Sequence, residues 1–138
     1  MIQRKQSIWL LLASLLSAGV FFFDLYRMNG QTSLRVADNF PLLLVALVAT
    51  ILPFITIFMF RNRKRQLRMA AMCLVAESSF ISLMLVSVPR LAKNVTPVEA
   101  GNYWIGAVLP AVAIVFLVLA MVGIRSDEKL VRSTDRLR

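Results

Sequence analysis

FPLLLVALVATILPFITIFMF, residues Phe40 to Phe60, runs for 21 residues without one charged side chain. At about 1.5 Å per residue, a helix of that length reaches roughly 30 Å, the depth of a bilayer's hydrocarbon core. Helices on the surface of soluble proteins keep a polar face, and this segment has none. It reads as a membrane-spanning helix.

Three more runs of the same character flank it: Ile8 to Tyr26, Met69 to Val88 and Tyr103 to Ile124. With 59% hydrophobic residues, only short polar connections remain between the runs, too little for a separate soluble domain. No run alternates with the period of two that a transmembrane barrel needs, and helices satisfy their own backbone groups in lipid. The expected fold is therefore all-α: a polytopic membrane protein with four transmembrane helices over about 8–26, 40–60, 69–88 and 103–124. Short connections predict an up-down-up-down bundle spanning residues 1–124, followed by a charged tail over 125–138. The first run has the basic start and small residues of a signal peptide, at Arg4, Lys5, Ser17, Ala18 and Gly19. It continues through Phe21, Phe22 and Phe23, so it is read as a retained anchor.

The net charge of +9 belongs to topology. Arg4 and Lys5 precede the first run. Arg61, Arg63, Lys64, Arg65 and Arg68 join the second to the third, and Arg125, Lys129, Arg132, Arg136 and Arg138 follow the fourth. The two opposite connections hold only Arg27, Arg35, Arg90 and Lys93. Under the positive-inside rule this predicts cytoplasmic N and C termini and a cytoplasmic Arg61–Arg68 loop. That loop, chiefly a topology determinant, also suits anionic lipid headgroups or an acidic partner. No aromatic residues interleave with its charges to stack on bases, which argues against nucleic acid.

The chain contains no His and a single cysteine, Cys73, expected to be a buried inert thiol. The commonest acid–base catalyst and metal ligand is thus missing, and no cofactor or metal is expected. Pro53 and Pro110 lie inside apolar runs and deprive the carbonyls of Ala49 and Gly106 of their helical donors. Such bends more often reflect tolerated packing than a substrate cavity. Glu77 is the least ordinary residue, lying mid-run in the third segment with no basic side chain at its depth. An acid there costs about 2–3 kcal/mol on insertion scales and is expected to be protonated and to face protein or water. With Ser78 and Ser82, stacked at i, i+4, it forms a candidate intramembrane polar site. Structural glue between helices, contact with a partner subunit, and a proton or cation pathway are the three readings of it.

The tail RSDEKLVRSTDRLR offers Asp127, Glu128, Arg132 and Arg136 for partner or lipid contact. It reads either as a short surface helix or as a solvated extension of the fourth helix. The opening MIQRKQSIWLLLA and the closing GIRSDEKLVRSTDRLR resemble a family of small membrane proteins from Bacteroidota, domain-of-unknown-function family 4293. The tail from Asp127 is the most specific part, the middle segments match in character only, and Lys5 departs from a more apolar residue. The resemblance implies a four-helix fold in a bacterial cytoplasmic (inner) membrane and supplies no functional residues. The functional expectation is a non-enzymatic accessory or scaffold subunit of a larger inner-membrane complex, alongside other membrane protein subunits. The alternative is an oligomeric transporter or channel component using Glu77.

Overall fold

The computed structural model describes residues 3–28, 33–60, 62–95 and 101–135. Its elements in chain order are α1 (Gln3–Gly19), β1 (Tyr26–Met28), β2 (Ser33–Leu34), a 3₁₀ turn (Val36–Asp38), α2 (Phe40–Phe58), α3 (Arg63–Val95), β3 (Gly101–Tyr103) and α4 (Ile105–Asp135). Three helices are long and apolar enough to cross a membrane: Phe40–Phe58, Arg63–Lys93 and Ile105–Asp127.

Each helix lays one stripe against its neighbours, with burial stepping alternately by four and three residues. The stripe is Gln6, Leu10, Ala13, Ser17 and Val20 on α1, and Leu42, Ala46, Ala49, Pro53 and Thr56 on α2. On α3 it includes Gln66, Ala70, Cys73, Glu77, Phe80 and Met84, and on α4 Ala113, Leu117, Ala120, Ile124 and Asp127. That spacing averages 3.5 residues, the repeat of knobs-into-holes packing in helix bundles. The helices form a ring in which α1 packs on α2 and α4, and α3 packs on α2 and α4. So α1 and α3 face each other across the bundle axis. The outer faces are also hydrocarbon, as at Leu44, Leu47, Ile51, Phe54 and Phe58 on α2. Such an exterior suits lipid and would be an aggregation hazard in water.

Three boundaries differ from expectation. First, α1 stops at Gly19, so at about 26 Å it falls a little short of the hydrocarbon depth. Beyond it the amides of Val20 to Phe23 bond the carbonyls of Ser17, Ala18 and Gly19 in tight turns. The chain then passes over the start of α4, where a Cβ on Gly106 would lie 2.6 Å from the Asp24 carbonyl oxygen. Second, most of the expected basic loop is helix. Asn62 accepts a hydrogen bond from the Arg65 amide at 3.2 Å at the start of α3, which then continues through Pro89. Third, α4 runs past the expected end at 124 to Asp135 without a break, which is the second of the two readings of the tail, an extension of the fourth helix.

The connections at one end form a small sheet, ordered β2-β1-β3 and antiparallel, pairing Tyr26 with Leu34 and with Tyr103. Asp24 anchors this cap, accepting from Arg35 Nε at 2.9 Å and from the Arg27 guanidinium at 3.2 Å. Arg27 also lies 4.4 Å over the ring of Trp104, a cation–π contact. Asn39 caps α2 by accepting from the Leu42 amide at 3.3 Å. A helix running to Tyr26 would set Asp24 and Arg27 three residues apart on one face; they pair instead between a loop and a strand. Two further signals in the sequence, the turn dipeptide Asn29-Gly30 and the glycosylation-acceptor pattern Asn94-Val95-Thr96, lie wholly or partly outside the described residues.

Hydrogen bonding from Arg35, then Arg27, holds the Asp24 carboxyl below its ordinary value of 3.8. A depressed folded-state pKa stabilises the cap fully above the unfolded value, and this is lost as pH falls through the lowered one. We therefore expect Asp24→Asn to lower the thermal midpoint in detergent at neutral pH. The difference from the unsubstituted chain should shrink steadily once pH drops below about 4.

Candidate functional site

Glu77 sits on the inward stripe of α3 and is 1% exposed. Across the axis its Oε1 is hydrogen-bonded to the Ser17 hydroxyl of α1, which also lies 2.9 Å from the Ala13 carbonyl oxygen. A serine has one hydroxyl hydrogen, and a carbonyl only accepts. With Glu77 ionised, Ser17 must share its one hydrogen between the two oxygens; with a proton on Glu77, the acid can donate to Ser17 Oγ while Ser17 donates to Ala13, and each contact has its own hydrogen. Glu77 Oε2 is buried with no partner. With Ser17, Val20, Ala46, Ala49 and Phe80, Glu77 lines a crevice too narrow to hold a water molecule. Ala49 is the residue whose carbonyl loses its helical donor to Pro53.

The serines expected beside Glu77 are elsewhere. Ser78, Ser79 and Ser82 lie on the exposed face of α3. Ser79 donates to the Val75 carbonyl and Ser82 to that of Ser78, each at 2.8 Å. Hydroxyls satisfied this way within their own helix can face lipid. At about 100° per residue Ser78 lies about 100° and Ser82 about 140° around the helix from Glu77, which is why neither joins the site. The true partner, Ser17, lies within the run of small residues considered above as a cleavage signal. Its place in the four-three series from Gln6 to Val20 was the available clue.

Every buried polar side chain among the described residues lies at the level of Glu77 or towards the end opposite the sheet: Gln6, Ser14, Ser17, Thr56, Gln66 and Asp127. Ser14 donates to the Thr50 carbonyl at 3.1 Å, tying α1 to α2. Thr56 Oγ1 is 3.6 Å from Cys73 Sγ, one turn from Glu77 on the same face of α3. Gln66 reaches the Thr56 carbonyl at 3.5 Å. At the far end Gln6 donates to Asp127, and Arg63 donates to the Asp127 backbone carbonyl at 2.9 Å.

Lys64, Arg65 and Arg68 are exposed near that clamp. Arg61 and Arg136 lie outside the described residues. Glu128 and Arg132 are on α4, with side chains outside those described. Lys64, Arg65 and Arg68 lie on the order of 13–20 Å along α3 from Glu77 and form no common site with it. Among the described residues no group of three His, Cys, Asp or Glu side chains converges to hold a metal ion.

These features define an apolar four-helix bundle with one buried acid near its middle. Over residues 2–137 the chain matches the family model described as a domain of unknown function (DUF4293), and it belongs to that family. Comparison with curated proteins and with solved structures found no match.

Ser17→Ala removes the one hydrogen-bond partner of Glu77 and should destabilise the bundle by about 1 kcal/mol, the scale of an interhelical hydrogen bond in a membrane. Ser82→Ala, which removes only a bond within α3, should change stability by less than about 0.5 kcal/mol. Unfolding titrations in mixed detergent micelles measure both.

Proposed function

We propose that this is a non-enzymatic, multi-pass protein of the bacterial cytoplasmic membrane that serves as an accessory or scaffold subunit of a larger complex. In this reading all four helices span the bilayer, α1 with help from its apolar turn. The basic end, with both termini, lies in the cytoplasm, where the positive-inside bias puts it.

The carrying observation is the reach of α4. Its 31 residues extend about 46 Å, well beyond the roughly 30 Å that hydrocarbon requires. The surplus carries the charged tail out as a continuous arm, clamped at its base by Arg63 and Gln6 through Asp127. Beside it stand the exposed Lys64, Arg65 and Arg68, so a rigid arm and a basic surface are offered together. Such a surface suits anionic headgroups and an acidic face of a partner subunit. A transport role would need a path on both sides of Glu77. Toward the sheet end, the buried core among the described residues is hydrocarbon only: Val20, Leu25, Leu42, Phe80, Met84 and Val88 among others.

Gentle detergent extraction from native membranes, followed by affinity capture and native mass measurement, tests this reading. Stoichiometric membrane proteins should co-purify, and replacing Lys64, Arg65 and Arg68 with Gln should release them at least tenfold. Recovery of the chain alone under the mildest extraction would contradict it.

A further inference from the structure

We propose that Glu77 is an exchangeable proton-binding site, reached only from the end of the bundle that carries Arg63 and Asp127. Three observations carry it, independently of the partner-subunit reading. The first is the hydrogen count at Ser17: one hydroxyl hydrogen faces two oxygens, so a proton on Glu77 completes the set. The second is that Oε2 is buried without a partner while the crevice that Glu77 lines is too narrow for water, so a proton bound to the carboxyl, and not a hydrated cation, suits the space. Without that proton a carboxylate would be buried with one hydrogen bond and no counter-charge, an arrangement hydrocarbon penalises heavily.

The third is the asymmetry of the core. From Glu77 toward the basic end, polar side chains recur among the apolar ones: the Cys73 thiol lies beside the Thr56 hydroxyl, and Gln66 donates to the Thr56 backbone carbonyl. Toward the sheet end Phe80, Met84 and Val88 follow on α3, facing Val20 and Leu42. The path is a dead end, so the site binds and releases a proton from one compartment and does not conduct. Release removes the hydrogen that lets Ser17 serve both α1 and α3, so protonation is coupled to how tightly these two helices meet across the axis.

Few other groups bear on Glu77. The inward faces of α1 and α4 at its level hold no ionisable side chain, and α2 carries none at all. On α3 the titratable neighbour is Cys73, and the nearest charge along the helix toward the basic end is Arg68, nine residues away, with Arg63 and Asp127 beyond it at the clamp.

The test is infrared difference spectroscopy of the full-length protein in membrane vesicles oriented through a tag after Arg138, which reads the C=O stretch of a protonated carboxyl without a reagent having to enter the bundle. That band should be present at neutral pH, vanish in Glu77→Gln, and decline about tenfold per pH unit above its midpoint when pH is raised on the basic-end side alone. Raising pH on the opposite side should leave it unchanged. Absence of the band from the folded protein, or an equal response to pH on both sides, would overturn the proposal. So would its loss on adding sodium or lithium at constant pH, which would make the site a metal-ion site.

Discussion

The hydrogen bond between Ser17 and Glu77 joins the two helices that do not otherwise pack side by side, and it does so near the middle of the bundle. In hydrocarbon the attraction between apolar side chains is no stronger than their attraction to lipid, so packing and internal hydrogen bonds hold helices together. Small residues meet that demand here: Ala13, Ala46, Ala49, Ala70, Ala113 and Ala120 all lie on inward stripes. They let the backbones approach, and a long acid on α3 then reaches a short serine on α1. Each interaction is modest, yet a buried carboxyl without its partner costs more than the bond contributes, which makes the pairing directional.

From that point the bundle divides into two halves of different character. Toward the sheet end the core is hydrocarbon and is closed by a cap in which Asp24 gathers two arginines and Tyr26 accepts from the Gly101 amide at 3.0 Å. Toward the basic end the core is mixed. An apolar cluster around Leu10, Leu117 and Ala120 alternates with Thr56, Gln66, Gln6 and Asp127. The cap closes the hydrocarbon half, and polar side chains recur in the half that leads toward the exposed charges. The proposed proton site, near the middle of the bundle, therefore opens toward the end that carries the proposed docking arm.

Much of this was legible in the residues. Unbroken apolar stretches announced helices in lipid, and a midplane acid without a basic neighbour announced something buried and inward-facing. Three things were not legible, each for a physical reason. Helix ends were misplaced because apolar content continues past Gly19 while the backbone does not, and because Arg63 to Arg68 are good helix formers as well as charges. The sheet escaped notice because strands of two or three residues carry no periodicity. Ser78 and Ser82 were grouped with Glu77 by proximity in sequence, whereas a helix turns adjacent residues apart. Reading the four-three stripe on α1 and α3 together would have paired Glu77 with Ser17.

Nitroxide labels placed singly along residues 72–86 of α3 in a Cys73→Ser background, in bilayers, measure the facing of Glu77 most directly. Collision rates with dissolved oxygen, which concentrates in lipid, report which positions meet the membrane. The account predicts maxima at 75, 78, 79, 82, 85 and 86 and minima at 77, 80 and 84, a repeat of about 3.5 residues. A maximum at 77, with 78 and 82 shielded, would place the acid against lipid or a partner and contradict the structure's central contact.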